Sequence, residues 1–564
     1  MNMIQSARAQ VSELTRQAYE RAAAAGALPA GAVISGSVDL PKDPKNGDYA
    51  SSFAMAGAKA LGMNPRAIAQ SILEHLELED TYFSRAEIAG PGFLNFFLSD
   101  KWYGGVLSAV ESEGDAYGST DEGRGQKVMV EFVSANPTGT MTIGNARGGV
   151  LGDALASILE RAGYDVWREF YVNDAGNQVD KFGLSLEARY IQLLKGENAV
   201  VFPEDGYHGE DIKALAKVFY ARYGDRYLYA DAEERQTFMK EFGLAHNIKK
   251  MQDDLARYGI RYDQWFLESS LHESGYVSDT VALLESAGCT YEKDGALWLR
   301  NTDFGADKDE VLRRSNGFYT YYAVDIAYHR NKFKVRGFDR VIDVWGADHH
   351  GHAIRFGASM TAPALEMQDK KLDFLIMQLV QLLQDGKEVK VSKRSGKSIT
   401  LSDLLDEISV DAARFFFNAK PTNHLIFDLD LAIRQDSENP VYYVQYAHAR
   451  ICSLVSNLAA DGASVLSAEE IDPGLLNSET ERALIKSIAA MPEEIHLAAR
   501  DYDPSRMNRY LITLAGDFHR FYNANRIKGE TPALLSARLK LADTVRSVIA
   551  NCLGLIGVSA PEKM

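Results

Sequence analysis

The stretch that decides the fold reads VMVEFVSANPTGTMTIGNARGG over residues 128–149. Its opening residues, 128–133, are mostly apolar and β-branched, and they predict a buried strand. Residues 150–159 place apolar side chains at helical spacing, Gly163 suits the end of that helix, and residues 166–172 predict a second strand. Strand, glycine-rich turn, helix and strand make a βαβ unit, whose turn presents free N–H groups at the start of a helix. The stretch therefore predicts a phosphate-binding turn in a doubly wound parallel sheet.

The composition is that of an ordinary soluble protein, with 46% hydrophobic and 25% charged residues. A length of 564 residues predicts about three or four domains. The N-terminal segment predicts an amphipathic helix rather than a signal peptide, and no window approaches about 18 consecutive apolar residues. We therefore expect a cytoplasmic protein. The net charge of −17 neither supports nor excludes a nucleic-acid partner, because binding needs only a local basic surface.

The cysteines and histidines give little support for a metal site. Cys289, Cys452 and Cys552 are far apart and form no CxxC pair, which argues against a disulfide framework and against a thiolate zinc site. Residues 348–352 read DHHGH and bring three histidines together, but they lack the HExxH pattern of a zinc-binding helix. We expect no protein-bound metal.

Composition and periodicity divide the chain into units of different class. We predict an N-terminal α+β module, a doubly wound (Rossmann-like) parallel-sheet domain with a mainly helical insertion, a lysine-rich loop with a connecting helical region, and a C-terminal all-α bundle. Within the insertion, Asp294-Gly295 predicts a β-hairpin turn. The predicted boundaries are 1–115 for the module, 116–385 for the sheet domain, about 180–310 for its insertion, 386–439 for the loop and connecting region, and 440–564 for the bundle.

Two short motifs lie more than two hundred residues apart, Thr142-Ile143-Gly144-Asn145 and Lys390-Val391-Ser392-Lys393-Arg394. They resemble the two signatures of class I aminoacyl-tRNA synthetases, usually written HIGH and KMSKS. Further motifs, spread over almost the whole chain, resemble the bacterial arginyl-tRNA synthetase family: VEFVSAN at 130–136, YVNDAGNQ at 171–178, YHG at 207–209, YYAVDIAYH at 321–329, GADHHG at 346–351 and QYAHAR at 445–450. The resemblance implies a class I catalytic domain that binds ATP.

Amino-acid activation requires little covalent chemistry from the protein itself. The rate depends instead on how the protein positions the reacting groups and stabilises the charge that develops between them. The hydroxyl of Thr142 and the amide of Asn145 can donate hydrogen bonds to ATP, and the ammonium of Lys393 suits the departing pyrophosphate. We expect these three residues to be catalytic. With the resemblance, they belong to a predicted site for ATP and Mg²⁺ formed by Gly139, Thr142, Gly144, Asn145, Asp348, His349, Lys390, Ser392 and Lys393. Thr142 and Asn145 replace the two histidines of the usual signature, so neither end of the motif can become a cation.

Selection of arginine needs a planar carboxylate that can pair with a guanidinium. Tyr321 and Asp325 are four residues apart and share one face of a predicted helix. The resemblance implies that these two side chains clasp the guanidinium. It also implies that the α-amino and carboxylate groups of arginine are held at the end of the first strand, by Glu131, Ser134 and Asn136.

The C-terminal bundle interleaves aromatic and basic residues over 501–528, a composition that suits splayed-out RNA bases. The resemblance implies that this bundle binds the anticodon and that the N-terminal module contacts the tRNA elbow. Candidate tRNA-binding residues in the bundle are Tyr446, Arg450, Arg509, Arg520, Tyr522 and Arg526.

Together these features predict an arginine–tRNA ligase that forms arginyl-adenylate from arginine and ATP and transfers arginine to the 3′ end of its tRNA. The resemblance implies a monomer that requires bound tRNA for the first step. Two alternatives remain open. The missing histidines of the first motif suit a catalytically degenerate paralogue that binds tRNA. A helical C-terminal end also suits another class I enzyme, such as a cysteinyl-tRNA synthetase, although that enzyme would want a zinc site with cysteines.

Overall fold

A computed structural model describes residues 2–41, 43–389 and 399–564 of the chain. Its first unit is the predicted α+β module, with the elements α1 Met3–Ala24, β1 Val38–Asp39, β2 Tyr49–Ser51, α2 Phe53–Leu61, α3 Pro65–Glu74, β3 Phe83–Ala89, β4 Phe93–Leu98 and α4 Asp100–Glu113. The strands form an antiparallel sheet in the order β1-β2-β4-β3. The indole of Trp102, buried on α4, donates a hydrogen bond to the carbonyl of Met3 at 3.0 Å and ties the last helix to the first.

The second unit contains the predicted βαβ stretch. Its elements are β5 Lys127–Phe132, α5 Ile143–Arg161, β6 Asp165–Val172, α6 Asn177–Lys195, α7 Glu210–Tyr223, α8 Ala232–Arg257, β7 Gln264–Leu267, α9 Ser269–Glu273, α10 Tyr276–Ser286, β8 Thr290–Lys293, β9 Ala296–Leu299, β10 Glu310–Arg313, α11 Tyr321–Arg330, β11 Arg340–Gly346, α12 His350–Ser359 and β12 Lys371–Met377. The strands predicted over 128–133 and 166–172 are confirmed as β5 and β6. The helix between them starts earlier than predicted, because Thr142 caps it.

Five of these strands form a parallel sheet in the order β12-β11-β5-β6-β7. The chain runs outward from β5 through β6 to β7, then returns to β11 on the other side of β5 and continues to β12. The winding direction therefore reverses between β5 and β11, and ligands of such sheets bind at the carboxyl edge of this switch point. The predicted doubly wound fold is confirmed.

The predicted insertion over 180–310 is not a single insert. Helices α6, α7 and α8 leave the sheet, but β7 then returns to it and pairs in parallel with β6 through Phe170 and Trp265, whose rings stack at 4.1 Å. The strand was missed because it has only four residues and lies between helical segments. The second part holds a small antiparallel sheet, β10-β9-β8, and its β8–β9 turn is the predicted Asp294-Gly295 hairpin, where both residues have positive φ.

The connecting region contains strands as well as the predicted helices. Its described elements, together with the strand that precedes it, are β13 Val380–Gln384, β14 Lys387–Glu388, α13 Leu401–Glu407, α14 Val410–Asn418, β15 Leu425–Asp428 and α15 Leu429–Ala432. The strands form a sheet in the order β14-β13-β15. From Pro440 onward the chain is helical, as predicted, with α16 Pro440–Ala460, α17 Glu479–Ala489, α18 Met491–Asp501, α19 Ser505–Ala524 and α20 Pro532–Leu555.

One buried arginine joins the bundle to the parallel-sheet domain. Arg414, on α14, is fully buried and pairs with Asp153 of α5. It also donates to the carbonyls of Tyr258, after α8, and Ile556, after α20, at 3.2 and 2.9 Å. A buried guanidinium without these partners would be costly, so the four segments are held in one arrangement. Among the described helices, none is both long and apolar enough to cross a membrane.

Candidate active site

A cavity of about 1070 Å³ opens at the carboxyl edge of the parallel sheet, at the switch point between β5 and β11. Segments from the ends of β5, β11 and β12 and from the starts of α5, α11 and α12 contribute its walls. Most of the residues predicted from the sequence line it: Glu131, Ser134, Asn136, Gly139, Thr142, Gly144, Asn145, Tyr321, Asp325, Asp348 and His349. The remaining predicted ATP-site residues, Lys390, Ser392 and Lys393, lie outside the described part of the chain.

The main chain turns sharply where β5 meets the cavity. Val133 and Ser134 have φ values of 71° and 41°, the left-handed region, although neither is glycine. Such residues cost about 1–3 kcal/mol each and collect at functional sites. The turn directs the hydroxyl of Ser134 toward Glu131, to which it donates at 2.9 Å, while accepting from the amide of Tyr171 at 3.1 Å. The strained turn thus holds Glu131 at the cavity wall.

Thr142 and Asn145 form a capping box at the start of α5. Oδ1 of Asn145 accepts hydrogen bonds from the amide and the hydroxyl of Thr142 at 2.8 and 2.9 Å. Because the Thr142 hydroxyl is engaged, the amide nitrogen Nδ2 of Asn145 is the side-chain donor of this pair that remains available in the described structure. The N–H groups of Ile143 and Gly144 lie in the first helical turn, where they lack intrahelical partners and favour an anion.

The described residues after the lysine-rich motif return to the start of α5. Thr400 forms an isolated antiparallel bridge with Thr142, and the amide of Leu401 donates to the carbonyl of Met141 at 3.0 Å. Thr400, which is seven residues after Lys393 in the sequence, thus lies beside the first motif. Fully buried Arg147, further along α5, donates to the carbonyl of Asn423 at 2.6 Å, and burial lowers its pKa to about 10. The described residues that follow the lysine-rich motif in sequence therefore lie beside the first motif.

The first turn of α11 presents Tyr321 and Asp325 to the cavity. Thr320 caps this helix by accepting a hydrogen bond from the amide of Ala323. Oδ2 of Asp325 lies 3.1 Å from Nε2 of His352, which orients the carboxylate. His352 belongs to the DHHGH run, so one of the histidines that suggested a metal supports Asp325 instead.

Glu268 is a functional candidate that the sequence analysis missed. It follows β7 directly and is buried, and its Oε2 accepts a hydrogen bond from the hydroxyl of Tyr171 at 2.7 Å. Burial, with the nearby carboxylates of Asp325 and Asp174, raises the pKa of Glu268 to about 7. Glu268 is thus a second carboxylate close to Asp325, and it adds negative potential where a guanidinium would bind. The signal was its place at the carboxyl end of a strand, which the assignment of 180–310 to an insertion hid.

One group of side chains has the composition of a metal site. Among the described residues, Glu131, His329 and Asp343 bring three potential ligand atoms within 4.8 Å of one another. The ammonium of Lys332 lies between them, 2.5 Å from Glu131 and 3.2 Å from Asp343. A cation already fills the place that a metal ion would take, so these residues do not fit a metal.

Comparisons with known proteins cover nearly the whole chain. Residues 107–430 match the family described as tRNA synthetases class I (R), catalytic domain. Residues 9–98 match the arginyl tRNA synthetase N terminal domain, and residues 444–564 match the DALR anticodon binding domain. The arginine–tRNA ligases of Acetivibrio thermocellus and Caldanaerobacter subterraneus are each 50% identical over 564 residues, with 100% of both chains covered.

The chain belongs to the arginyl-tRNA synthetase family. The solved arginyl-tRNA synthetase of Thermus thermophilus has the same fold, with a TM-score of 0.69 at 23% identity over 99% of this chain and 100% of that one. Membership confirms the resemblance drawn from the motifs and the class I catalytic domain. It also contradicts the alternative of a cysteinyl enzyme.

The part that matches the family's anticodon-binding domain carries an aromatic and basic surface between α16 and α19, which we call the α16–α19 surface. Tyr446 is 41% exposed and stacks on Tyr442 and His519, and the guanidinium of Arg450 lies 4.2 Å from the ring centre of Tyr522. The other three predicted arginines have internal partners: Arg509 pairs with Asp503, Arg520 with Asp517, and Arg526 donates to the carbonyl of Lys528.

Several aromatic residues of the 501–528 stretch do not face solvent. Tyr510, Phe518 and Phe521 are buried in the core of the bundle, at the positions of α19 that pack on other helices. Tyr502 contacts the parallel sheet, where its hydroxyl donates to Asp373 at 2.7 Å. These aromatic side chains therefore build the interior of the protein, which the same residue types at helical spacing also do.

Proposed function

We propose that this chain is an arginine–tRNA ligase that activates arginine with ATP in the cavity at the β5–β11 switch point and passes it to tRNA. One observation carries the proposal. A single cavity is lined by the carboxylate of Asp325 and by a helix N-terminus that carries Asn145, and Tyr171 in its wall donates a hydrogen bond to the buried carboxylate of Glu268. Asp325 suits a guanidinium and the helix end suits phosphate, so the two substrates of the first step fit opposite parts of one site.

Arginine lies along the cavity with its side chain toward α11. Its guanidinium pairs with Asp325, which His352 orients, and with Glu268, while the hydroxyl of Tyr321 completes the pocket. Two carboxylates around one guanidinium provide bidentate geometry that the ammonium of lysine does not match. The α-amino end then lies toward the turn at the end of β5, near Glu131, Ser134 and Asn136.

ATP, which enters as its Mg²⁺ complex, places its phosphates at the start of α5. The N–H groups of Ile143 and Gly144 and the Nδ2 donor of Asn145 stabilise negative charge that develops on the α-phosphate. Asp348 and His349 border the adenosine. The ammonium of Lys393 stabilises the departing pyrophosphate, and Lys390 and Ser392 belong to the same ATP site.

The chemistry follows from this arrangement. The carboxylate oxygen of arginine attacks the α-phosphorus of ATP, the bond from that phosphorus to the bridging oxygen breaks, and pyrophosphate leaves. A ribose hydroxyl at the 3′ end of tRNA then attacks the carbonyl carbon of arginyl-adenylate and releases AMP. Both steps depend on holding the reacting atoms in line, and the fixed positions of α5 and α11 supply that geometry.

The tRNA contacts two further parts of the chain. The α16–α19 surface binds the anticodon loop, with Tyr446 and Tyr522 stacking on bases and Arg450 pairing with phosphate. The N-terminal module contacts the elbow. The enzyme works as a monomer in the cytoplasm, and light scattering of the purified protein at micromolar concentration tests the monomer.

Aminoacylation of total tRNA with each amino acid in turn tests the function. We expect charging with arginine alone, and charging with another amino acid would contradict the proposal. Absence of any charging, together with tight tRNA binding, would instead support the degenerate paralogue. The matched variants Asp325→Asn and Asp348→Asn distinguish an arginine defect from an ATP defect, because both carboxylates line the cavity but face different substrates.

A further inference from the structure

A buried group of four ionisable side chains lies at the end of the cavity where β5 turns, and the proposed function gives a role to only one of them, Glu131. We call it the charge cluster: Glu131, His329, Lys332 and Asp343. The side chains of Lys332 and Asp343 are fully buried, and those of His329 and Glu131 are 3% and 8% exposed. The sheet brings the two carboxylates together, because Glu131 on β5 and Asp343 on β11 are partners in the strand register.

Hydrogen bonds join Glu131 and Lys332. Burial raises the pKa of Glu131, whereas the hydrogen bonds that Oε1 accepts from the hydroxyl of Ser134 and Oε2 accepts from Lys332 favour its ionised form. Burial opposes the charge of Lys332, but the carboxylates of Asp343 and Glu131 outweigh it and raise the pKa of the ammonium.

His329 and Asp343 complete the cluster. Nδ1 of His329 lies 2.9 Å from the carbonyl oxygen of Asp325, and Nε2 lies 2.8 Å from Oδ2 of Asp343. Lys332 and His329 hold the pKa of Asp343 below its usual value. Lys332 lies 3.2 Å from Nε2, with its remaining proton toward the ring of Tyr328, whose centre is 4.2 Å away.

In the charge cluster the ammonium of Lys332 thus offsets part of the negative charge that Glu131 and Asp343 bring. The guanidinium end of the cavity presents the carboxylate of Asp325, with Glu268 buried nearby. Arginine has the matching distribution, because its amino-acid head is a zwitterion with no net charge and its side chain is a cation.

We propose that Lys332 determines specificity for the α-amino acid head group of arginine, by neutralising Glu131 and holding its carboxylate in place. This inference rests on the proposed placement of arginine. With Lys332 present, the cluster attracts a lone ammonium less and repels the substrate carboxylate less than Glu131 and Asp343 would without their paired cation. Lys332 acts through Glu131 and contacts no reacting atom, so it is a positioning residue.

The test compares L-arginine with agmatine, which is arginine without its carboxylate, by calorimetric titration of the full chain. The quantity is the ratio of the agmatine Kd to the arginine Kd. Lys332→Met removes one positive charge from the cluster, so we expect the ratio to fall by about tenfold or more. Glu131→Gln removes one negative charge, so the ratio should rise by a similar factor. A role confined to folding would not move the ratio in opposite directions.

A charge-neutral double variant is the matched control. The double variant Lys332→Met with Asp343→Asn gives the cluster the same net charge as in the wild type, so the ratio of the two dissociation constants should return toward the wild-type value. This variant and Glu131→Gln keep the test decisive if Lys332→Met alone fails to fold, which far-ultraviolet circular dichroism would reveal. Ratios within about twofold of wild type in these variants, despite weaker arginine binding, would overturn the role of Lys332 alone. Unchanged arginine affinity in Glu131→Gln would overturn the placement of arginine itself.

Discussion

Asn145 and Thr142 hold each other through Oδ1 of Asn145, which accepts hydrogen bonds from both the amide and the hydroxyl of Thr142. The usual class I signature has histidines at both positions, and this pair replaces them with a helix cap and one free donor. The two residues therefore have different tasks. Thr142 shapes the start of α5, and Asn145 both shapes it and keeps Nδ2 as a donor, which we propose binds ATP.

Asn145→Asp separates those two tasks. A carboxylate accepts the same hydrogen bonds and suits the positive end of a helix, so the thermal stability should stay within about 1 kcal/mol of wild type. It cannot donate to phosphate and repels it, so we expect the rate of adenylate formation to fall by roughly 10²–10³. Single-turnover formation of arginyl-adenylate measures this rate.

The chain contains a natural control for this variant. Thr400 and Asp403 form the same capping box at the start of α13, with Oδ2 of Asp403 accepting from the amide and hydroxyl of Thr400 at 3.0 and 2.8 Å. Aspartate is thus compatible with the geometry. An Asn145→Asp variant that folds and forms adenylate at the wild-type rate would show that Nδ2 does not contact ATP.

Glu268 makes arginine binding dependent on pH. Its pKa of about 7 in the free protein means that half of the molecules lack this charge at neutral pH. Arginine affinity should therefore rise by about tenfold between pH 6 and 8, since the guanidinium needs the ionised carboxylate. Glu268→Gln should bind more weakly and without this pH dependence. Glu273→Gln, an exposed residue of the same short helix, is the control; a pH profile unchanged by Glu268→Gln would contradict the role.

The same carboxylate should reduce the stability of the fold above neutral pH. Its folded pKa of about 7 is above the ordinary value of 4.5, so the folded state binds more protons between these values than the unfolded state does. This contribution to stability is present below pH 4.5 and is lost as pH rises through 7. Glu268→Gln should therefore be more stable than wild type by roughly 1–3 kcal/mol at pH 8 and by much less at pH 5, as measured by urea denaturation. An equal difference at both pH values would refute the assignment.

Lys393 should act on chemistry and not on tRNA binding. Removing its ammonium in Lys393→Ala leaves the departing pyrophosphate without that charge, so adenylate formation should slow by roughly 10²–10³. The Kd for tRNA should stay unchanged. Lys387→Ala, which removes an exposed lysine of β14, controls for a general loss of positive charge near the cavity. Equal losses in rate and in tRNA affinity would count against the proposed role.

The arginines of the α16–α19 surface differ in whether their charge is already paired within the protein. Arg450 stacks on Tyr522, whereas Arg509 is held by Asp503 at 2.9 Å. We expect Tyr446→Ala and Arg450→Ala each to weaken tRNA binding by about tenfold or more, and Arg509→Ala to have less effect. Filter binding at two salt concentrations measures the affinity for tRNA and its dependence on salt. The decrease of the logarithm of affinity with the logarithm of salt concentration should be less steep for Arg450→Ala. A larger loss for Arg509→Ala than for Arg450→Ala would relocate the surface.

Local signals explain what the sequence could predict. The strand, glycine-rich turn and helix around Gly144 are encoded by neighbouring residues, as is the hairpin at Asp294-Gly295, and both were found. Glu268 was missed because β7 is four residues long and has no alternation to separate it from its helical surroundings. Lys332 was missed because its partners Glu131 and Asp343 come from two different strands. Such a cluster depends on the order and register of the strands in the sheet, and the spacing of residues along the sequence does not reveal either.

The central claim is that Asp325 binds the guanidinium of arginine, and calorimetric titration of arginine into Asp325→Asn tests it most directly. Asp348→Asn, which alters another carboxylate of the same cavity, serves as the control. We predict that Asp325→Asn weakens arginine binding by roughly 10²-fold, because the substrate guanidinium loses its ionised partner, while Asp348→Asn binds arginine like wild type. Wild-type arginine affinity in a folded Asp325→Asn variant would contradict the account.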